Sequence, residues 1–145
     1  MPTEEDTLKA ADERTNAFAA LLTDYLKERF NYKRPSVRLG ISSCSVVAQT
    51  AQYDLYFRVT PPDMRDWNSN TLVVARLGFR EQRQGHGRDL LRFIVDLASK
   101  LPFTHIGIEQ ANPNAVAFGA KFGFAQYGTG KDLLAPVEEV RKNLE

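Results

Sequence analysis

Residues 72 to 97, LVVARLGFREQRQGHGRDLLRFIVDL, constrain this chain more than any other stretch. A β-branched apolar run, Leu72 to Phe79, stops at a polar turn, Arg80 to Gly87. An amphipathic helix pattern follows, with Leu90, Leu91, Ile94, Leu97 and Ala98 on one side. Gly85 and Gly87 stand where the strand becomes the helix. Such a junction can turn several backbone N–H groups toward an anion at the positive end of the helix dipole. A plain strand-to-helix turn is the other use of such glycines, and the rest of the chain has to decide between them.

Charge narrows the choice only locally. The formal net charge is +1, with 43% apolar and 26% charged residues, so the balance gives no argument for nucleic-acid or membrane binding. Around the turn the balance differs: Arg76, Arg80, Arg83, Arg88, Arg92 and Lys100 face only Glu81, Asp89 and Asp96. The 145 residues suffice for one domain, 1–145, with a single core. Cys44 is the lone cysteine, so no disulfide or cysteine metal cluster can form, and His86 and His105 make no metal site on their own. The N-terminus, MPTEEDTLKAADE, is acidic without an apolar stretch, and no run reaches membrane-spanning length. The expected compartment is the cytoplasm.

From the N-terminus, Thr3 with Asp6 reads as a helix cap. Leu8, Ala11, Thr15, Phe18, Leu22 and Tyr25 then recur at helical spacing, widened by Leu21, Leu26 and Phe30. This predicts a helical segment over 1–30, one long helix or two short ones, followed by a turn at Asn31 to Ser36. Val37 to Ile41, Ser45 to Gln49 and Tyr53 to Thr60 read as strands around the small residues Ser42, Ser43 and Cys44. Pro61 to Asn70 is a polar loop holding the only tryptophan, Trp67, as a loop anchor or pocket wall. The central helix should end near Leu101, before Pro102. His105 to Gln110 follows as a strand. Asn112 and Pro113 open a helix that runs to about Phe122, with Gly123 beyond it and a strand at Phe124 to Tyr127. Leu133 to Leu144 has a weak helical pattern interrupted by Pro136. Hairpins together with strand–helix–strand crossovers predict a mixed α+β fold, a mainly antiparallel sheet flanked by helices.

The turn Gln82-Arg83-Gln84-Gly85-His86-Gly87 matches Q/R-x-x-G-x-G/A, and Asn112-x-x-Ala115-x-x-Phe118-x-x-Lys121-x-Gly123-Phe124 lies downstream. These resemble the two signatures of the Gcn5-related N-acetyltransferases, the GNAT superfamily, with the likeness covering residues 53 to 128 as the acetyl-CoA-binding core. The turn lacks the Lys-Ser/Thr ending of a P-loop and the third glycine of a dinucleotide fingerprint. The resemblance implies an acetyltransferase that binds acetyl-CoA and passes its acetyl group directly to an unidentified amine. The implied cofactor residues are Gln82, Arg83, Gln84, Gly85, His86, Gly87 and Arg88 at the pyrophosphate. Leu77, Gly78 and Phe79 would line the pantetheine arm, and a backbone N–H from Leu77 or Gly78 would hold the oxyanion. Asn112 would reach the cofactor or cap its helix. A homodimer is compatible with this reading.

The family often carries a tyrosine after the Phe118 position as general acid, and here that slot is Gly119. Tyr127, a tyrosine on the 53–60 strand or a water could act instead. Glu109 at a strand end and Glu81 in the turn are the candidate bases, with Asp54 a third. The alternative is a catalytically weak or inactive GNAT-like fold acting as a CoA-binding or protein-interaction module. Gly119 and a helical N-terminal segment where the family often begins with a strand point that way.

Overall fold

The computed structural model describes residues 3–41, 44–59, 67, 70–82 and 84–145, with Glu4, Thr7 and Leu8 described by backbone alone. The expectations for Leu8 in the helical stripe, for Ser42 and Ser43, for Thr60 and most of the 61–70 loop, and for Arg83 lie outside what is described. Helix α1 spans Glu4–Phe30 as one unbroken helix. Thr3 and Asp6 close a reciprocal capping box at its start, and Asn31 ends it in the left-handed conformation at φ 57°. The predicted stripe is the buried one: Ala11, Thr15, Phe18, Leu22 and Leu26 face inward.

Among the described residues seven strands follow in one sheet of order β1-β2-β3-β4-β5-β7-β6. They are β1 (Val37–Leu39), β2 (Ser45–Gln49), β3 (Tyr53–Val59), β4 (Thr71–Phe79), β5 (His105–Ile108), β6 (Ala125–Tyr127) and β7 (Asp132–Pro136). The helices between and after them are α2 (His86–Leu97), α3 (Pro113–Ala120) and α4 (Val137–Leu144). β4 and β5 pair parallel; the other described pairs are antiparallel. The mixed, mainly antiparallel fold class is the expected one.

Beyond small shifts at element ends, two regions differ from the sequence reading. The segment 133–144 is not one weak helix but β7 followed by α4, because Leu133 and Ala135 alternate inward before the helical period begins. Pro136 does not interrupt a helix; it ends the strand and occupies the cap position of α4. α2 begins at His86, so Gly87 is a helical residue rather than part of the turn.

The core lies on one face of the sheet. Val46, Ala48, Leu55, Phe57, Val59, Leu72, Val74, Ile106, Ile108, Leu133 and Ala135 meet the buried side chains of α1, α2 and α4 there. At roughly 25 cal/mol per Å² of apolar surface removed from water, this face supplies most of the folding drive. The opposite face is mixed, with Val47 and Val73 buried on it beside a polar network. Across it Arg38 binds Gln49, Gln49 binds Asp54, Asp54 pairs with Arg76, and Arg76 and Arg58 both lie over the Tyr56 ring.

Candidate active site

The site starts from an irregularity in β4. Phe57 pairs with Val74 but Tyr56 pairs with Arg76, leaving Ala75 as an extra residue. This bulge shifts the alternation, so that Leu77 and Phe79 rejoin the apolar face on which Val74 lies. At the same level β5 leaves β4. The last parallel pair is Val74 with Ile108, closed by the Glu109 N–H donating to the Val74 carbonyl at 3.0 Å. Gln110 then turns away in the left-handed conformation, φ 50°, and donates its N–H to Asp132 Oδ1 at 2.9 Å. Ala111 donates to the Lys131 carbonyl at 2.8 Å. The chain after Ile108 therefore follows β7 while β4 continues with β3, and the sheet splits.

Backbone alternation tells which groups line the split. Arg80 donates its N–H to the Gln52 carbonyl at 2.9 Å, toward β3. Counting back in twos, Gly78 and Arg76 also turn their amides to β3, and Leu77 and Phe79 turn theirs to the open side. Of Leu77 and Gly78, only Leu77 turns its amide to the open side.

At one end of the split stands the N-terminus of α2. Gly85 is its cap residue at φ 76°, with no side-chain cap, and a Cβ there would meet nothing within 4 Å. Positive φ explains this glycine. Gly87 has a different reason: a Cβ there would come within 3.0 Å of the Phe118 ring of α3. His86 packs against the rings of Phe30 and Phe79, 4.9 and 5.2 Å between centroids, and its Nδ1 faces Arg29. Burial and the Arg29 charge hold its imidazole below the usual range. Beside it Tyr25 donates to Asp89 Oδ2 at 2.5 Å and stacks on Phe93. Burial first, then the Asp89 carboxylate, pushes the Tyr25 phenol far up.

Gln82 and Gln84 are exposed in the turn. Arg88 directs its guanidinium to the Leu144 carbonyl, 2.8 Å, where Arg92 joins it at 3.2 Å, so these two side chains cap α4. Asn112 Oδ1 accepts from the Ala115 N–H at 2.8 Å and caps α3, while its amide nitrogen is not used in that bond. Glu81 is exposed and acts electrostatically on His86.

At the other end is a cavity of about 330 Å³. Glu109 and Tyr127 line it together, with Trp67, Asp132 and the Gly128–Gly130 turn. Trp67 is buried and stacks on Tyr127, centroids 5.2 Å apart, and its ring fills the space a side chain at Gly107 would take. Arg58 grips both carboxylate oxygens of Glu109 at 3.2–3.3 Å. Asp132 was not singled out by the sequence, and the strand period over Asp132–Pro136 was the signal that could have found it; Trp67 was offered there as a loop anchor or pocket wall, and it lines this cavity. Position 119 faces the core: a Cβ there would lie 3.1 Å from Phe124 Cβ and 3.2 Å from Leu133 Cδ1. Cys44 is buried and its thiol is pushed up by burial, the reverse of nucleophile activation. Among the described residues no group of acidic, His and Cys side chains is arranged to hold a metal, and no helix is long and apolar enough to cross a membrane.

No protein-family model matches the sequence, and no curated protein matches it. Solved structures with similar folds include Tetrahymena GCN5, at 18% identity and a TM-score of 0.52, covering 93% of this chain and 90% of that one. The AtaTR complex bound with acetyl-CoA is 14% identical, TM-score 0.50, covering 80% and 74%. A mutant AtaT toxin bound to the C-terminus of the antitoxin AtaR and acetyl-CoA is 15% identical, TM-score 0.50, covering 68% and 69%. At such identities the likeness is one of fold. The fold is that of the Gcn5-related N-acetyltransferases, as the two motifs led one to expect.

Proposed function

From this fold, and above all from the split between β4 and β5, we propose that the chain is an N-acetyltransferase that passes an acetyl group from acetyl-CoA directly to an amine. The split carries the reading: β4 runs past its last pair with β5, turning the Leu77 and Phe79 backbone to an open side. A pantetheine arm is a short chain of amides, and an unpaired strand edge complements it. The pyrophosphate would lie at Gly85 and the start of α2, where among the described residues no side chain caps the first amides and a Cβ at Gly85 would meet nothing within 4 Å. The residues present therefore fit the group. Because Arg88 and Asn112 already cap helices, backbone N–H groups would hold the anion, with Arg80 at the edge. The acetyl-CoA described with AtaTR and with AtaT supports the choice of donor.

Acetyl-CoA would supply an activated acyl group as a thioester. The Leu77 N–H is the donor aimed to stabilise negative charge on its carbonyl oxygen. Glu109 would take the proton that the attacking amine loses, directly or through water, and Tyr127 on the same wall would protonate the departing thiolate. Both line one cavity, and Glu109 follows the last β4–β5 pair, where the split begins.

Thermal stabilisation by acetyl-CoA, compared with free adenosine nucleotides, tests the reading. A ligand at a hundred times its dissociation constant should add about 2.7 kcal/mol. Gly85→Glu should remove the effect by placing a carboxylate in the anion's place. No shift at millimolar acetyl-CoA would sink the proposal. The Arg58 grip on Glu109 favours a second reading, a module that binds acetyl-CoA with little turnover. Stabilisation without thiol release in the presence of amines would select it.

A further inference from the structure

The cavity beside Glu109 has a chemistry of its own. Two carboxylates, Glu109 and Asp132, and two stacked rings, Trp67 and Tyr127, line it, and among the described residues no Lys or Arg side chain does. The two carboxylates are not equivalent. Glu109 is neutralised by Arg58, whereas Asp132 makes no ion pair among the described residues. Asp132 spends one oxygen on the Gln110 N–H, holding that residue in a left-handed conformation that non-glycine residues seldom adopt. Backbone strain next to a cavity is a feature that functional sites accumulate. The volume, about 330 Å³, falls at the small end of small-molecule sites, and aromatic faces beside a carboxylate favour a cation.

We propose that this cavity seats a small cationic aliphatic amine and that Asp132 sets the selection for positive charge. Naming that amine the acetyl acceptor rests on the acetyltransferase reading; the preference for a cation rests on the cavity alone. Asp132 would take an ammonium on its second oxygen, with the Trp67 and Tyr127 rings flanking the alkyl stem. An acidic amine would meet the Asp132 carboxylate and be refused.

Trp67 is the only tryptophan, so intrinsic fluorescence reports on this cavity. Titrating the full chain with 1,4-diaminobutane should give a saturable emission change that weakens as salt is raised. Asp132→Asn keeps an Oδ1 acceptor for the Gln110 N–H and should weaken the diamine at least about tenfold. The acetyl-CoA thermal shift should be the same in both proteins, which reports an intact fold. Glutamate should not compete. No saturable change at millimolar diamine, equal affinity in Asp132→Asn, or effective competition by glutamate would overturn the proposal. Diamine binding without any acetyl-CoA shift would support the cation site while sinking the acetyltransferase reading; an acetyl-CoA shift without diamine binding would do the reverse.

Discussion

The two ends of the split in the sheet are built on opposite plans. At the α2 end the groups that could meet a ligand are backbone N–H groups, released by a glycine at φ 76° and a helix that starts without a side-chain cap. At the cavity end they are side chains, contributed by the residue after β5, the β6–β7 hairpin and the buried Trp67. A backbone-built end is encoded within a dozen consecutive residues. A side-chain-built end exists only after distant strands have paired. Substitutions should therefore act on the two ends by different routes: conformation and packing at the first, charge and shape at the second.

Gly119→Tyr should have the largest effect. If the missing phenol were a lost catalytic group, restoring it would help. The position faces Phe124 and Leu133 at close range, so we expect about 3 kcal/mol of destabilisation in denaturant melts and no gain in activity. A stable, more active variant would move that position from the core into the site.

The two turn glycines should then separate. Gly87→Val forces a side chain against Phe118 and should cost about 2 kcal/mol, yet leave stabilisation by acetyl-CoA intact. Gly85→Ala meets no atoms but strains a residue at positive φ, about 1–2 kcal/mol, and should also weaken acetyl-CoA binding. The reverse pattern would mean that Gly87, not Gly85, faces the anion.

Alkaline pH tests the packing behind the α2 end. The buried Tyr25 phenol is raised above its ordinary value near 10. Burial also pushes Tyr53, hydrogen-bonded to the Pro35 carbonyl, up to about 12. The native state keeps these protons where the unfolded chain loses them. Their contribution is thus whole below about pH 10 and is lost as pH rises toward the folded values. Denaturant midpoints should fall over that window, and Tyr25→Phe should flatten the fall. A rise would contradict the assignment.

The smallest effect concerns His86. Its imidazole should titrate below the usual value of about 6.5 and move upward in Arg29→Ala, followed by NMR. An unchanged value would mean that the Arg29 contact is not made in solution.

The same contrast explains what could be read without coordinates. The Thr3 box, the α1 stripe, the Asn112 cap and the β4–turn–α2 unit rest on local periodicity and capping, and each formed as expected. β7 was missed because a five-residue strand merges into α4 across Pro136, and two periods over a short span cancel. Nothing local reveals that α4 returns to place the Leu144 carbonyl beside Arg88. Nor does anything local reveal that the Phe118 ring, far along the chain, lies against Gly87. Glu109 and Tyr127 could be named separately, but their meeting across one cavity depends on β7 lying between β5 and β6.

The central claim is that acetyl-CoA spans the split from Gly85 to Leu77. Backbone amide NMR of the chain during an acetyl-CoA titration tests it most directly. The account predicts the largest shifts at Leu77, Phe79 and the amides of Gly85 to Arg88, with smaller ones at Glu109. Shifts confined to the sheet face away from the core or to α1, with those amides unmoved, would contradict it.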